Sequence, residues 1–189
     1  MLRGWILMVG IILAANVCNA DQPHERINGS IYCPPRASKD LSSHVNKGEE
    51  AFSEAQCRAS IAQQHVRNAS AANDDIGKAV QFYTKAGEEF KLASQSQFDG
   101  DDSFIPIEDQ ETERSKKYIV ENNYTVPSSY HDALYLLSTV SYVAANQLSK
   151  IKFNDDSPVG NRDALRNLYH ANSVAGEMYI SIVNLLPPK

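Results

Sequence analysis

The sequence predicts an all-α protein: a helical bundle of about four main helices, read as two helical hairpins with a polar insert between the second and third. Three observations predict it. Counting in threes and fours from Val45 lands on Gly48, Phe52, Ala55, Ala59, Ala62, Val66, Ala69, Asn73, Ile76, Val80, Tyr83, Gly87 and Phe90, which lays one apolar seam along helix. No segment sustains the alternation of a strand. Helix-start residues and prolines punctuate the rest of the chain at helix-length intervals.

The N-terminus is expected to be a cleaved export signal, residues 1–20. Arg3 supplies a short positive region, Trp5 to Ala15 is apolar and uncharged, and Cys18-Asn19-Ala20 offers small residues before a cut between Ala20 and Asp21. The apolar run is short for a membrane anchor, and nothing later in the chain is apolar enough for a span. The expected location is therefore periplasmic if the source is a Gram-negative bacterium, and secreted otherwise. About 170 residues follow, enough for one domain with one core.

Cys33 and Cys57 remain after cleavage, and an even count in an exported chain points to one disulfide between them. A loop of that length is worth about 3.5 kcal/mol in the chain-entropy view. Two thiols without a matching histidine spacing make a poor zinc site.

Residues 21–39, with Pro23, Pro34 and Pro35, read as an extended N-terminal arm, and residues 40–189 as a single helical domain. The first helix is expected from a cap at Asp40 or Ser42 to about Val66. Asn73-Asp74-Asp75 is a strong start signal for the second, expected over 74–94 with Ile76, Ala79, Val80, Tyr83, Ala86, Phe90 and Ala93 on its core side. A hairpin is favoured because the downstream half offers two helices of matching length. One long rod, or a coiled-coil oligomer through 44–94, is the alternative.

The run Lys78-Ala79-Val80-Gln81-Phe82-Tyr83-Thr84-Lys85-Ala86 resembles the second helix of a tetratricopeptide repeat. The resemblance covers this helix alone. The preceding helix lacks the family's glycine and aromatic, and no second copy recurs at the family's period, so no repeat array is implied.

Residues 95–127 form the polar insert, with a helix expected over 108–121 because Glu108, Asp109, Glu111 and Glu113 precede Arg114, Lys116 and Lys117. Its sparse apolar content (Tyr118, Ile119, Val120) predicts a surface cover. Ser129 and Asp132 have capping-box spacing ahead of the third main helix, whose Leu134, Leu136, Leu137, Val140, Val143, Ala144, Leu148 and Ile151 predict the most buried segment. Asn161 is the expected cap of the fourth, which carries Ala164, Leu168, Ala171, Ala175, Met178, Ile182 and Leu185 and stops at Pro187-Pro188.

No catalytic constellation emerges. Asp99-Gly100-Asp101-Asp102-Ser103 fails as a calcium loop, with Phe104 and Gln110 where glycine and glutamate belong. None of His24, His44, His65, His131 and His170 sits in a metalloprotease, di-iron or covalent-haem motif. There is no nucleophile elbow, phosphate loop or dinucleotide fingerprint. Ser149 and Lys152 match one penicillin-binding spacing, without that family's other motifs. Asn28, Asn68 and Asn123 head glycosylation sequons that matter only in a glycosylating host. A net charge of −5 with no basic, aromatic-interleaved patch argues against nucleic acid.

The resulting expectation is a noncatalytic exported protein that binds another protein, with no metal and no cofactor. Its contact surface would be the insert or an uncovered helix face. The alternative is a bundle that carries a small ligand among inward-pointing tyrosines and His131 or His170.

Overall fold

The computed structural model describes residues 43–95, 103, 104, 106 and 108–186, and these are all-helical, with five helices and no strand. The helices are α1 (His44–Gln64), α2 (Ala69–Ser94), α3 (Gln110–Glu121), α4 (Tyr130–Leu148) and α5 (Pro158–Val183). The predicted signal segment, arm and Pro187-Pro188 stop lie outside the described residues.

α1 starts at Ser43, whose hydroxyl accepts from the Asn46 amide at 3.2 Å. The chain breaks at residues 65–68 and folds back, so α1 and α2 make the most extensive helix contact in the molecule. Small side chains make this close approach feasible: Ala51, Ala55, Ala59 and Ala62 on α1, and Ala72, Ala79, Ala86 and Ala93 on α2, are all buried. The tightest point is Gly48, where an added Cβ would sit 2.7 Å from the Phe90 ring.

The second helix begins one turn earlier than Asn73-Asp74-Asp75 suggests, because Asn68 takes the cap and accepts from the Ala71 amide at 3.1 Å. The three expected start residues are used elsewhere. Asn73 reaches across to the α4–α5 connection, where its amide nitrogen donates to the Phe153 carbonyl at 3.0 Å and its oxygen accepts from the Phe153 N–H at 2.8 Å. Asp74 pairs with Lys78, and Asp75 turns inward toward α1.

α2 also packs on α4, α4 on α5, and α5 on α1 and α3. Every residue of the expected stripe is buried, from Ala164 to Ile182 on α5 and Leu185 just past its end. α3 does more than cover the surface: Ile119 is fully buried, and Thr112 and Ser115 are buried with it. Two polar contacts tie α3 to α5, an Asn184 amide donating to Glu111 at 3.2 Å and the Tyr118 hydroxyl on Glu177. Just before α4, Ser103 bridges to Ser129, and Phe104 packs edge-on against Tyr130 at 5.4 Å. Ser129 caps α4 as its spacing predicts, accepting from Asp132 at 3.0 Å.

Asn161 does not cap the last helix. α5 starts at Pro158, behind Ser157, which makes no side-chain cap bond. Asn161 instead closes the turn by accepting from the Asn154 N–H at 2.8 Å and donating to its carbonyl at 2.7 Å. The neighbouring Asp155 accepts from the Ala69 amide at 3.0 Å, so the two inter-helix turns are joined at one end of the molecule.

Asn73→Ala removes both bonds to Phe153 and is expected to cost about 2 kcal/mol in urea unfolding. Asp74→Ala removes only an exposed ion pair and should cost less than about 1 kcal/mol. Equal costs would mean that Asn73 does not hold the turn.

Candidate functional site

The interior holds one polar knot shared by three helices. The Gln56 amide of α1 donates to the Tyr83 hydroxyl of α2 and, at 3.0 Å, to the Asn172 carbonyl of α5. Tyr83 donates in turn to Asn172 Oδ1 at 2.9 Å, and its ring is fully buried. Phe52 packs edge-on to Tyr83 at 5.2 Å and stacks on Tyr179 at 4.6 Å. Burial drives the Tyr83 pKa strongly upward, with the Gln56 bond a smaller opposing effect. A neutral, fully bonded phenol in this position organises packing; it offers no reactive oxygen to solvent.

A charged cluster lies between α1 and α2. Arg58 bonds Glu54 at 2.9 Å and approaches Asp75 at 3.6 Å, while His65 Nδ1 contacts Asp75 at 2.9 Å. Burial raises the Glu54 pKa, Arg58 opposes the shift, and neighbouring Glu50 adds to it. One guanidinium held between two buried carboxylates is a structural arrangement that fixes how the helices face. Among the described residues, no group of three or more histidine, cysteine or acidic side chains could hold a metal ion.

The residues singled out from sequence do not converge. Cys57 is buried on α1, whereas Cys33, Ala20, Asp21 and Asn28 lie outside the described residues. Asn68 is the exposed cap of α2, and Asn123 is exposed in the turn after α3 with a left-handed φ of 64°. His131 and His170 are exposed, contrary to the inward orientation considered for them, because each falls on the outer side of its helix. Among the tyrosines, Tyr83 is fully buried, while Tyr135, Tyr142 and Tyr169 stand at the surface. A narrow apolar hollow between α4 and α5, beside Met178 and Tyr124, measures about 20 Å³, room for roughly one water. A wider open groove of about 440 Å³ at the α4–α5 connection is lined by Ile151, Ala164, His170 and Ala171.

The surface feature that sequence reading missed is on α4. This helix was expected to be the most buried, yet Tyr135 is 62% exposed, and Tyr142 and Val143 are each 38% exposed. Thr139 is partly exposed between them, and Asn146 and Gln147 continue the same side. The Tyr142 ring lies over Gly87 of α2, where an added Cβ would come within 3.0 Å of it, and Ser138 donates to the Gly87 carbonyl at 2.7 Å. Residues 133–149 contain no charged side chain, so the face is aromatic, hydroxylic and amidic over about 18 Å of helix. That charge-free run was the available signal.

Comparison with protein-family models, curated proteins and solved structures finds no match to this chain. Among the described residues, no helix is long and apolar enough to cross a membrane.

Tyr83→Phe keeps the ring but leaves Gln56 and Asn172 short of a partner, and should lower unfolding free energy by about 1–3 kcal/mol. At the α3–α5 contact, Tyr118 is pushed up to about 12, first by burial and then by the Glu177 carboxylate. A raised tyrosine pKa favours the neutral folded form, so its contribution is whole below the ordinary value near 10 and is lost as pH rises toward 12. Glu177→Gln should move the Tyr118 absorbance transition at alkaline pH downward. An unchanged transition would remove Glu177 from the cause.

Proposed function

We propose that this chain is an exported, noncatalytic helical protein that acts by binding another protein through the uncovered face of α4. The observation that carries the reading is a solvent-facing helix side with Tyr135, Tyr142 and Val143 exposed and no charge along its length. Exposed tyrosines on a rigid helix supply amphipathic contact area at little entropic cost, and contact centres are typically aromatic and poor in charge.

Support for export comes from the N-terminal segment 1–20 and from the paired cysteines, with Cys33 proposed to bridge to the buried Cys57. We read the main helices as two hairpins, α1–α2 and α4–α5, closed into a four-membered bundle, with residues 95–127 inserted between them. The hollow beside Met178, about 20 Å³, is too small to hold a ligand among the inward-facing side chains of α4 and α5. Burial of the α1 and α2 stripes within this chain speaks against a coiled coil through 44–94.

Tyr135→Ala should leave the unfolding free energy within about 0.5 kcal/mol, as an exposed change does. Partner capture from the extracytoplasmic fraction of the source organism should fall roughly tenfold or more. Val143→Asp, which puts a charge into the face, should do the same. Capture that survives both changes would remove α4 as the contact.

A further inference from the structure

A second surface, independent of the α4 face, lies where the N-terminal half of α5 meets the end of α1. Arg162 and Arg166 are one helical turn apart and exposed, and with Leu165, Tyr169 and Gln63 of α1 they line an open groove of about 480 Å³. Every polar side chain in that lining can donate a hydrogen bond, and none is an acid. Asp163, the nearest acid along the chain, lines a different groove on the other side of α5, with Lys150 and Lys152.

Among the described residues Arg162 and Arg166 form no ion pair, as is also true of Lys47, Arg67, Lys85, Lys91, Arg114, Lys150 and Lys152. What separates the two arginines is a shared groove with no acid in its lining, whereas Asp163 lines the groove of Lys150 and Lys152. Each guanidinium presents a planar fork of N–H donors that fits two oxygens of a tetrahedral oxyanion. The Tyr169 ring, 63% exposed, and Leu165 supply an apolar wall beside the charge.

We propose that this groove binds a phosphate group, with Arg162 and Arg166 gripping its oxygens, Gln63 donating from across the groove and Tyr169 lying against the organic part next to it. The phosphate can belong to a soluble ester or to a lipid headgroup, since both present the same oxygens.

The test uses the full chain made through its own export pathway. Its arginine side-chain N–H signals are followed by NMR during titration with sodium phosphate, against sodium chloride at matched ionic strength. Arg162→Gln with Arg166→Gln removes the site, and Lys150→Gln with Lys152→Gln removes the same charge from the neighbouring groove. All four side chains are exposed, so an unchanged unfolding midpoint verifies that both variants are folded.

The expected result is a saturable shift of the Arg162 and Arg166 signals with phosphate. It should be weakened roughly tenfold or more by the arginine variant and kept by the lysine variant. Flotation with phosphatidylglycerol-containing vesicles, but not with phosphatidylcholine alone, and dependent on the two arginines, would support the proposal with a lipid headgroup as the source. Saturable phosphate binding without flotation would support it with a soluble ester. Shifts that track ionic strength alone, or that the lysine variant loses equally, would overturn it, as would the absence of both phosphate binding and flotation.

Discussion

The arrangement of the helices depends on the hydrogen-bonded knot of Gln56, Tyr83 and Asn172. The seam between α1 and α2 is lined by buried alanines, which tolerate sliding because one methyl group fits where another did. A buried phenol, a buried amide and a half-buried one do not. Each loses several kcal/mol of solvation if its partner is missing, so only one relative position of α1, α2 and α5 satisfies all three. Phe52, packed on Tyr83 from one side and on Tyr179 from the other, transmits that position to the apolar layer. The small-residue seam gives closeness, and the knot gives register.

At one end of the molecule a second set of polar contacts does the same for the turns. Asn73 holds the backbone of Phe153, Asp155 holds the start of α2, and Asn161 closes the turn around Asn154. These residues look like helix starters in sequence because asparagine and aspartate bond backbone amides readily. The same capacity serves a distant backbone as well as a local one. A sequence reading assigns such residues to the nearest helix, whereas in the folded chain Asn73 serves a partner eighty residues away.

The outer surfaces follow a different logic. α4 is apolar enough to be read as the most buried segment, yet a helix packed against neighbours on two sides still has a third, and the residues there are tyrosine, threonine and amides. Hydrophobicity alone misplaces Val143 because a sum over the helix says nothing about which side is left over. The Arg162–Arg166 groove was equally hidden in the sequence. The two residues are visible as a helical pair, but Gln63 joins them only through the α1–α5 contact, and the distance of Asp163 from the groove depends on the rotation of α5.

The sequence by itself determined that the described chain is helical, where four of its helices run within a turn or so at either end, and nearly all of the buried stripe on α1, α2 and α5. Those properties are local, since a three-four spacing of apolar residues has one compatible secondary structure. It also carried the proposed export, which rests on residues outside the described structure, and the proposed disulfide, of whose two cysteines only Cys57 lies within it. Only the tertiary structure decided that α1 and α2 fold back on each other, that Asn73 and Asn161 serve the turns, and that α3 buries Ile119. It alone decided which side of α4 faces outward. Each of these depends on which helix lies opposite, and that is fixed by the simultaneous burial of large apolar side chains and the pairing of a few buried polar ones, a condition that no single window of sequence contains.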